Sequence, residues 1–304
     1  MDPRELATLR AVRTQGGVTA AARALHLTPS AVSQQLASLQ RQVAVPLTER
    51  AGRSLRLTAA GDALADAALD VAVALERAQA AADEYLSRPA GTVRVSAFAS
   101  GAQLLLPALV ARVAALDDGI TLECDDEDVA LDDFVALTDR IDVVVAHRAD
   151  GAPAWGPRVQ VRPLLREPLD VAVPAAHPLA TRDRLHPRDL ADERWIAVRE
   201  GFPLRRVLDA VATAVGSPPT IAHRINDFHV AATLVGAGHG VCLLPRYTFA
   251  STADVRLVPL AGVRSGRRIE ALVRPDRAQR LVVRLVLDEL AAVAGEIVGR
   301  HENA

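Results

Sequence analysis

Lysine is absent from this chain of 304 residues: all 35 basic side chains are arginine. Contacts to phosphate must therefore come from guanidinium groups, hydroxyls or backbone N–H. The lysine-free, alanine-rich composition is that of a protein from a GC-rich bacterial genome. Cysteine is nearly absent too. Cys124 and Cys242 lie far apart in apparent strands, which excludes a disulfide framework and reads as two buried, reduced structural thiols. No long apolar run occurs, and Asp2, Arg4 and Glu5 mark the first residues. Neither a signal peptide nor a membrane span is expected, and the chain reads as cytoplasmic.

Catalytic signatures are missing as well. There is no G-x-S-x-G nucleophile turn. The eight histidines show no paired metal-ligand spacing; His223 and His229 are six apart across a strand–helix junction. Asp125, Asp126, Glu127 and Asp128, with Asp132 and Asp133, lack the Asp-Gly loop of a calcium site and read as solvated acids near a helix N-terminus. Gly236-Ala237-Gly238-His239-Gly240 follows a helix and leads into a strand. That order is the reverse of a dinucleotide-binding loop, so it reads as a helix-ending turn. The expectation is no catalytic residue, no metal and no cofactor.

What is present is a concentrated signal between residues 18 and 61. Thr19 suits the N-cap of a short helix reaching about Leu25. Thr28 is a second N-cap candidate, with Pro29 at the first helical position, where its missing N–H costs nothing. The helix that follows carries Val32, Leu36, Leu39 and Val43 on one face, and Ser30, Ser33, Gln34 and Arg41 on the other. Small polar side chains suit a major groove: Gln presents a bidentate donor and acceptor pair to adenine, and Ser serves either role. An ordinary helical hairpin with a solvated polar face is the alternative. Arg50, Arg53 and Arg56 around Gly52, with Leu55 and Leu57 alternating, then read as a small basic wing able to reach phosphates or the minor groove. Charge follows the same division. Residues 1–58 hold eight arginines against three acids, about +5, and residues 59–88 about −4.

As a set these residues resemble the LysR-type transcriptional regulators. The pieces that carry the resemblance are Gly16-Gly17, Ala21-Ala22-Arg23-Ala24-Leu25, the run from Thr28-Pro29-Ser30 through Ser33-Gln34 to Leu36, Val45-Pro46-Leu47-Thr48-Glu49-Arg50, Gly52-Arg53 and Leu57-Thr58-Ala59-Ala60-Gly61. The pattern departs at Thr48, where the family usually has Phe, so wing packing is where this head is expected to differ. The resemblance implies an N-terminal all-α winged helix-turn-helix, a long linker helix, and an α/β two-lobe effector domain like type 2 periplasmic binding proteins. It implies binding of double-stranded promoter DNA through Thr28, Pro29, Ser30, Ser33, Gln34, Arg50 and Arg53, and a small-molecule effector. It also implies a homodimer or homotetramer, with RNA polymerase as a further partner.

The domain expectation is a head over 1–58, a linker over 59–88 and an effector domain over 89–304. Within the linker, Leu57, Leu64, Val71, Ala78 and Tyr85 recur every seven residues, with Gly61, Ala68, Leu75 and Ala82 between them. That seam argues for helix pairing, with Leu64, Val71, Leu75 and Ala78 as dimer contacts; burial against the same chain is the alternative. From residue 92 strands and helices alternate, as expected of α/β layers. Strands are expected at 92–97, 120–124, 141–146, 169–174, 195–198, 220–225, 241–244 and 268–274. Helices are expected at 103–116, 129–139, 203–215, 228–237 and 277–298. Lobe I covers about 92–160 and 267–304, lobe II about 163–265, with crossovers near 159–162 and 265–268.

In such a fold a ligand sits at strand C-terminal ends, facing helix N-termini. The loops there offer Ser100, Gly101 and Ala102; Phe202; Asn226 and Asp227; and His147 and Arg148 as effector-binding candidates. Ser100 and Asp227 could equally be helix caps, and Arg148 a surface charge. Two other classes stay open: an exported two-lobe solute-binding protein, which gives residues 1–58 no role, and an α/β enzyme, which lacks a nucleophile.

Overall fold

The computed structural model describes residues 1–51, 54–83, 90–116 and 119–302. Three helices open the chain. α1 (Pro3–Gln15) starts with a capping box: the Asp2 carboxylate accepts from Arg4 N at 2.8 Å, and Glu5 reaches back to the Asp2 N–H. α2 (Val18–Ala24) buries Ala21 and Ala22, whose small side chains let the next helix approach closely. α3 (Pro29–Gln40) starts where Thr28 Oγ1 accepts from Ala31 N at 3.2 Å. Its Val32, Leu36 and Leu39 fill the head core, together with Leu6, Leu9 and Val12 of α1.

The wing is a hairpin of β1 (Thr48–Ala51) and β2 (Ser54–Leu57), with Arg50 opposite Leu55. Gly52 and Arg53 lie outside the described residues. Thr48 sits half-buried opposite Leu57, and the adjacent Leu47 takes the buried position under the wing. α4 (Ala59–Asp83) then buries Gly61, Ala65 and Ala68 and packs on α1. Residues 84–89, including Tyr85 and the end of the expected linker, lie outside the described residues.

The body contains β3 (Gly91–Ala97), α5 (Ala99–Ala115), β4 (Ile120–Asp126), α6 (Phe134–Leu137), β5 (Val143–Ala149) and β6 (Gln160–Pro174). It continues with β7 (Arg194–Ala197), α7 (Arg205–Val215), β8 (Thr220–Arg224), α8 (Phe228–Gly236), β9 (Cys242–Pro245), β10 (Val255–Pro259), β11 (Gly266–Val273) and α9 (Leu281–Glu302). The main sheet runs β10-β6-β11-β5-β3-β4, with β9 also on β6. β3 is parallel to β4 and β5, whereas β11 is antiparallel to β5 and β6.

One strand passes through both lobes. β6 pairs with β11 up to Pro168 and with β9 and β10 from Leu169 onward. The crossover expected at 159–162 therefore moves to the Pro168–Leu169 junction. The return crossover follows β10 and ends at Gly266, close to its expected place. The helix expected over 129–139 is also shorter. A single 3-10 turn (Leu131–Asp133) leads into α6, whose Phe134 and Leu137 are buried in the core. α9 comes back across lobe I and packs on α5, where Arg112 pairs with Glu289 at 2.6 Å and Glu296 at 2.8 Å.

The head rests on lobe I. Gln15 Nε2 donates to Asp139 Oδ2 at 3.0 Å, and Arg10 lies 3.7 Å from Asp276. Cys242 is buried as expected, and that burial pushes its thiol up; Cys124 is exposed on β4, which corrects the expectation that both are buried. Among the described residues, no helix is long and apolar enough to cross a membrane.

Candidate functional site

Two surfaces carry chemistry. The first is the outer face of α3. Burial of Val32, Leu36 and Leu39 fixes the rotation of this helix, so Thr28, Pro29, Ser30, Ser33 and Gln34 all face solvent. Thr28 Oγ1 and Ser30 Oγ are 3.0 Å apart, and Ser33 Oγ donates to Pro29 O at 2.9 Å. Both serine hydroxyls are thus already oriented by the chain. Gln35, one residue on, turns inward and bonds with Thr8. Gln34 remains the exposed amide of the row.

The head's basic charge is divided by the fold. Arg10 points at Asp276, and Arg13 lies 2.6 Å from Asp66 of α4. Arg23, Arg41, Arg50 and Arg56 stay exposed, the last two on the wing. Structure thus moves two of the eight head arginines to the contacts with the linker and body. Sequence charge counting had no way to separate them.

The second surface is a cavity of about 500 Å³ between the lobes. A volume of this order is usual for a small-molecule site. Of the candidates, Ser100, His147, Phe202, Asn226 and Asp227 line it. They come from both lobes: Ser100 from the first turn of α5, His147 from β5, Phe202 from the loop before α7, Asn226 and Asp227 from the entry to α8. Asp227 is also a cap; its Oδ1 accepts from His229 N at 2.8 Å and Val230 N at 3.1 Å.

Three expected residues are elsewhere. Gly101 and Ala102 turn away with the α5 helix. Gly101 backs onto the Phe98 ring, where an added Cβ would stand 2.6 Å from the ring edge. Arg148 follows His147 on a strand, and successive strand side chains point to opposite faces. It forms a two-armed ion pair with Glu270 at 2.8 and 2.9 Å instead of facing the cavity. Glu270 also accepts from Trp155 Nε1 at 2.6 Å.

Arg267 is the main lining residue that sequence reasoning missed. It is wholly buried on β11, opposite Glu167 on β6. Its Nε and Nη2 donate to Glu167 Oε2 at 2.9 and 2.6 Å, and its Nη1 donates to Ser100 Oγ at 3.0 Å. Glu167 Oε1 accepts from the backbone of Tyr247 and Thr248 at 2.9 and 3.1 Å. The pair sits one residue from the point where β6 changes lobes, so cavity floor and interlobe junction share a side chain. No local motif links two residues 100 positions apart. Burial, with the Arg267 charge adding to it, drives the His147 imidazole well below its ordinary value, so the ring is neutral at pH 7. Burial also pushes the Asp128 carboxyl up, against the pull of Arg267.

Comparison with known proteins covers both surfaces. A profile for bacterial regulatory helix-turn-helix proteins of the lysR family matches residues 3–62, and one for the LysR substrate binding domain matches 86–295. The transcriptional dual regulator GltC of Bacillus subtilis (strain 168) is 30% identical over 223 residues, 73% of this chain and 73% of that protein. A probable hydrogen peroxide-inducible genes activator of Mycobacterium avium is 29% identical over 302 residues, 96% of this chain and 93% of that one. Among solved structures, a full-length OxyR variant from Pseudomonas aeruginosa superposes with a TM-score of 0.66 at 20% identity, covering 96% of this chain and 98% of its own. Full-length CbnR complexed with its target DNA gives 0.54 at 22% identity, covering 97% and 100%. At these identities the two structures establish the fold alone.

Proposed function

The chain belongs to the LysR family of transcriptional regulators, and from that premise we propose that it binds promoter DNA as a homodimer or homotetramer and responds to a small molecule held between its lobes. It is a regulator rather than an enzyme, as its relatives are. The observation that carries the DNA reading is the solvent-facing row Thr28, Pro29, Ser30, Ser33 and Gln34 on a helix whose opposite face is locked in the head core. Gln34 reads adenine, the serines add hydroxyl contacts, and Thr28 caps α3 while touching phosphate. Arg50 and Arg53 grip the backbone or the minor groove. The proposed setting is the cytoplasm, with RNA polymerase as a neighbour at the promoter.

A phosphate role for the wing has a direct check. In DNA titrations at several salt concentrations, Arg50→Ala is expected to weaken all sequences alike and to lower the log–log salt slope by about 1. An unchanged slope removes Arg50 from the backbone contacts.

Dimer formation is assigned to the linker helix. Val71 and Leu75 are 41% and 50% exposed, apolar residues one turn apart on a helix that buries Ala65 and Ala68 against its own head. Ala78 continues the exposed line, whereas Leu64 packs partly on the head core. Leu75→Arg is therefore expected to sediment as a smaller species than wild type. An intact oligomer would place the contact elsewhere.

Effector response rests on the interlobe cavity, lined by Ser100, His147, Phe202, Asn226 and Asp227. A ligand that touches both lobes favours one arrangement of them, and such coupling is typically worth about 1–3 kcal/mol.

A further inference from the structure

Aromatic side chains make up only 3% of this chain, yet four of its five phenylalanines line the same cavity. Phe98 follows β3, Phe202 precedes α7, Phe228 opens α8 and Phe249 follows β9. Phe202, Phe228 and Phe249 are only half-buried, so their rings still have apolar surface to cover. Phe228 and Phe249 stand edge to face, with centroids 6.0 Å apart at 82°. Phe98 belongs to the lobe I core and Phe228 and Phe249 pack in part on the lobe II core, yet Phe202, Phe228 and Phe249 keep ring surface open to the cavity.

The cavity's charges are mixed in sign. Arg267 is held by Glu167, and Asp128 and Asp227 face the same space as Arg199. Taken with Glu167 behind the floor, the acids exceed the arginines by one. A bound anion would add a second excess negative charge in a partly desolvated site, which is unfavourable.

Apart from Arg199 and Asp128, the polar capacity left free is neutral. Ser100 Oγ accepts from Arg267, which leaves its own proton to donate. Asn226 Oδ1 accepts from Arg199 N, and Gln103 Oε1 is engaged by His229, so both keep amide N–H groups to offer. The neutral His147 ring lines the cavity 4.1 Å from Phe98, and its buried Nδ1 has no hydrogen-bond partner. Rings for a ring and neutral donors for an acceptor describe one ligand chemistry.

We propose that the effector is an uncharged aromatic molecule carrying a carbonyl-type hydrogen-bond acceptor. The inference rests on the reading of this cavity as the effector site. The ring lies among Phe202, Phe228 and Phe249, and the acceptor faces Ser100 and His147.

Calorimetric titration of the full chain with three probes tests it: naphthalene-2-carboxamide, naphthalene-2-carboxylate and hexanamide. The first two share a shape and differ in charge; the third keeps the amide without the ring. The carboxamide is expected to bind about tenfold or more tightly than either of the others. Asp128→Asn should narrow the gap between carboxamide and carboxylate, a change that a purely structural Asp128 would not produce. Phe249→Leu should weaken the carboxamide about fivefold or more. A carboxylate that binds as well as the carboxamide overturns the ligand class while leaving the cavity as the site. Absence of binding by both naphthalene probes at millimolar concentration, or carboxamide binding that Phe249→Leu leaves unchanged, overturns the site itself and the class with it.

Discussion

Arg267→Met is expected to destabilise the folded body by about 3–5 kcal/mol, the usual range when one partner of a buried ion pair is removed. Both side chains of the Arg267–Glu167 pair are 0% exposed. Removing the guanidinium strips two donors from Glu167 Oε2 and one from Ser100 Oγ. The Glu167 carboxylate would then stay buried with only the donors on Oε1, from Tyr247 and Thr248, to hold it. Adding Glu167→Gln should recover much of the loss. The amide keeps an oxygen for the Tyr247 and Thr248 donors and removes the unpaired charge. Urea unfolding of the single and double variants measures both terms. A single variant within about 1 kcal/mol of wild type would show that the pair is not what joins the two strands. Its place beside the lobe-changing step of β6 means that effector response should fall as well.

Gly61→Ala is expected to cost about 1–3 kcal/mol in the head and to weaken DNA binding about tenfold or more. Gly61 lies in the first turn of α4, and its N–H donates to the capping Thr58 Oγ1 at 3.0 Å. A Cβ added there would stand 2.0 Å from the Leu47 carbonyl oxygen and 3.0 Å from its carbon. That carbonyl accepts from Thr58 N at 3.0 Å, so it cannot retreat without loosening the helix start. Leu47 leads directly into β1, and the displacement passes to the wing. Gly295→Ala on α9 is the control. Nothing lies within 4 Å of its added Cβ, so the substitution should be neutral or stabilise the helix slightly. DNA titration alongside thermal melting separates the two variants. Wild-type affinity in Gly61→Ala would mean that the wing does not depend on this contact.

The head was legible in the sequence because its signals are local. Thr28, Pro29 and the spacing of Val32, Leu36 and Leu39 sit within one helix and fix both its start and its buried face. The body was legible as alternating layers but not at its junctions. A crossover near 159–162 and a strand only from 169 were expected, yet β6 runs unbroken across both lobes because its two ends have different partners. The cavity was half legible. Loops before α5, α7 and α8 were found by their position ahead of helices. Arg148 lies elsewhere because side chains alternate along a strand: His147 faces the cavity, and its neighbour faces away. Arg267 and Glu167 could not be joined, since their pairing depends on strand register between distant segments. The few phenylalanines cluster at these same loop positions, a pattern carried by the sequence itself.

Base reading by α3 is the central claim, and Gln34 is its most exposed test. Equilibrium titration at fixed salt, comparing promoter-proximal DNA with random DNA for wild type and Gln34→Ala, measures discrimination directly. A loss of about 1–3 kcal/mol of discrimination, with binding to random DNA unchanged, is the expected result. Equal discrimination by the two proteins would contradict the assignment of this helix face to the major groove.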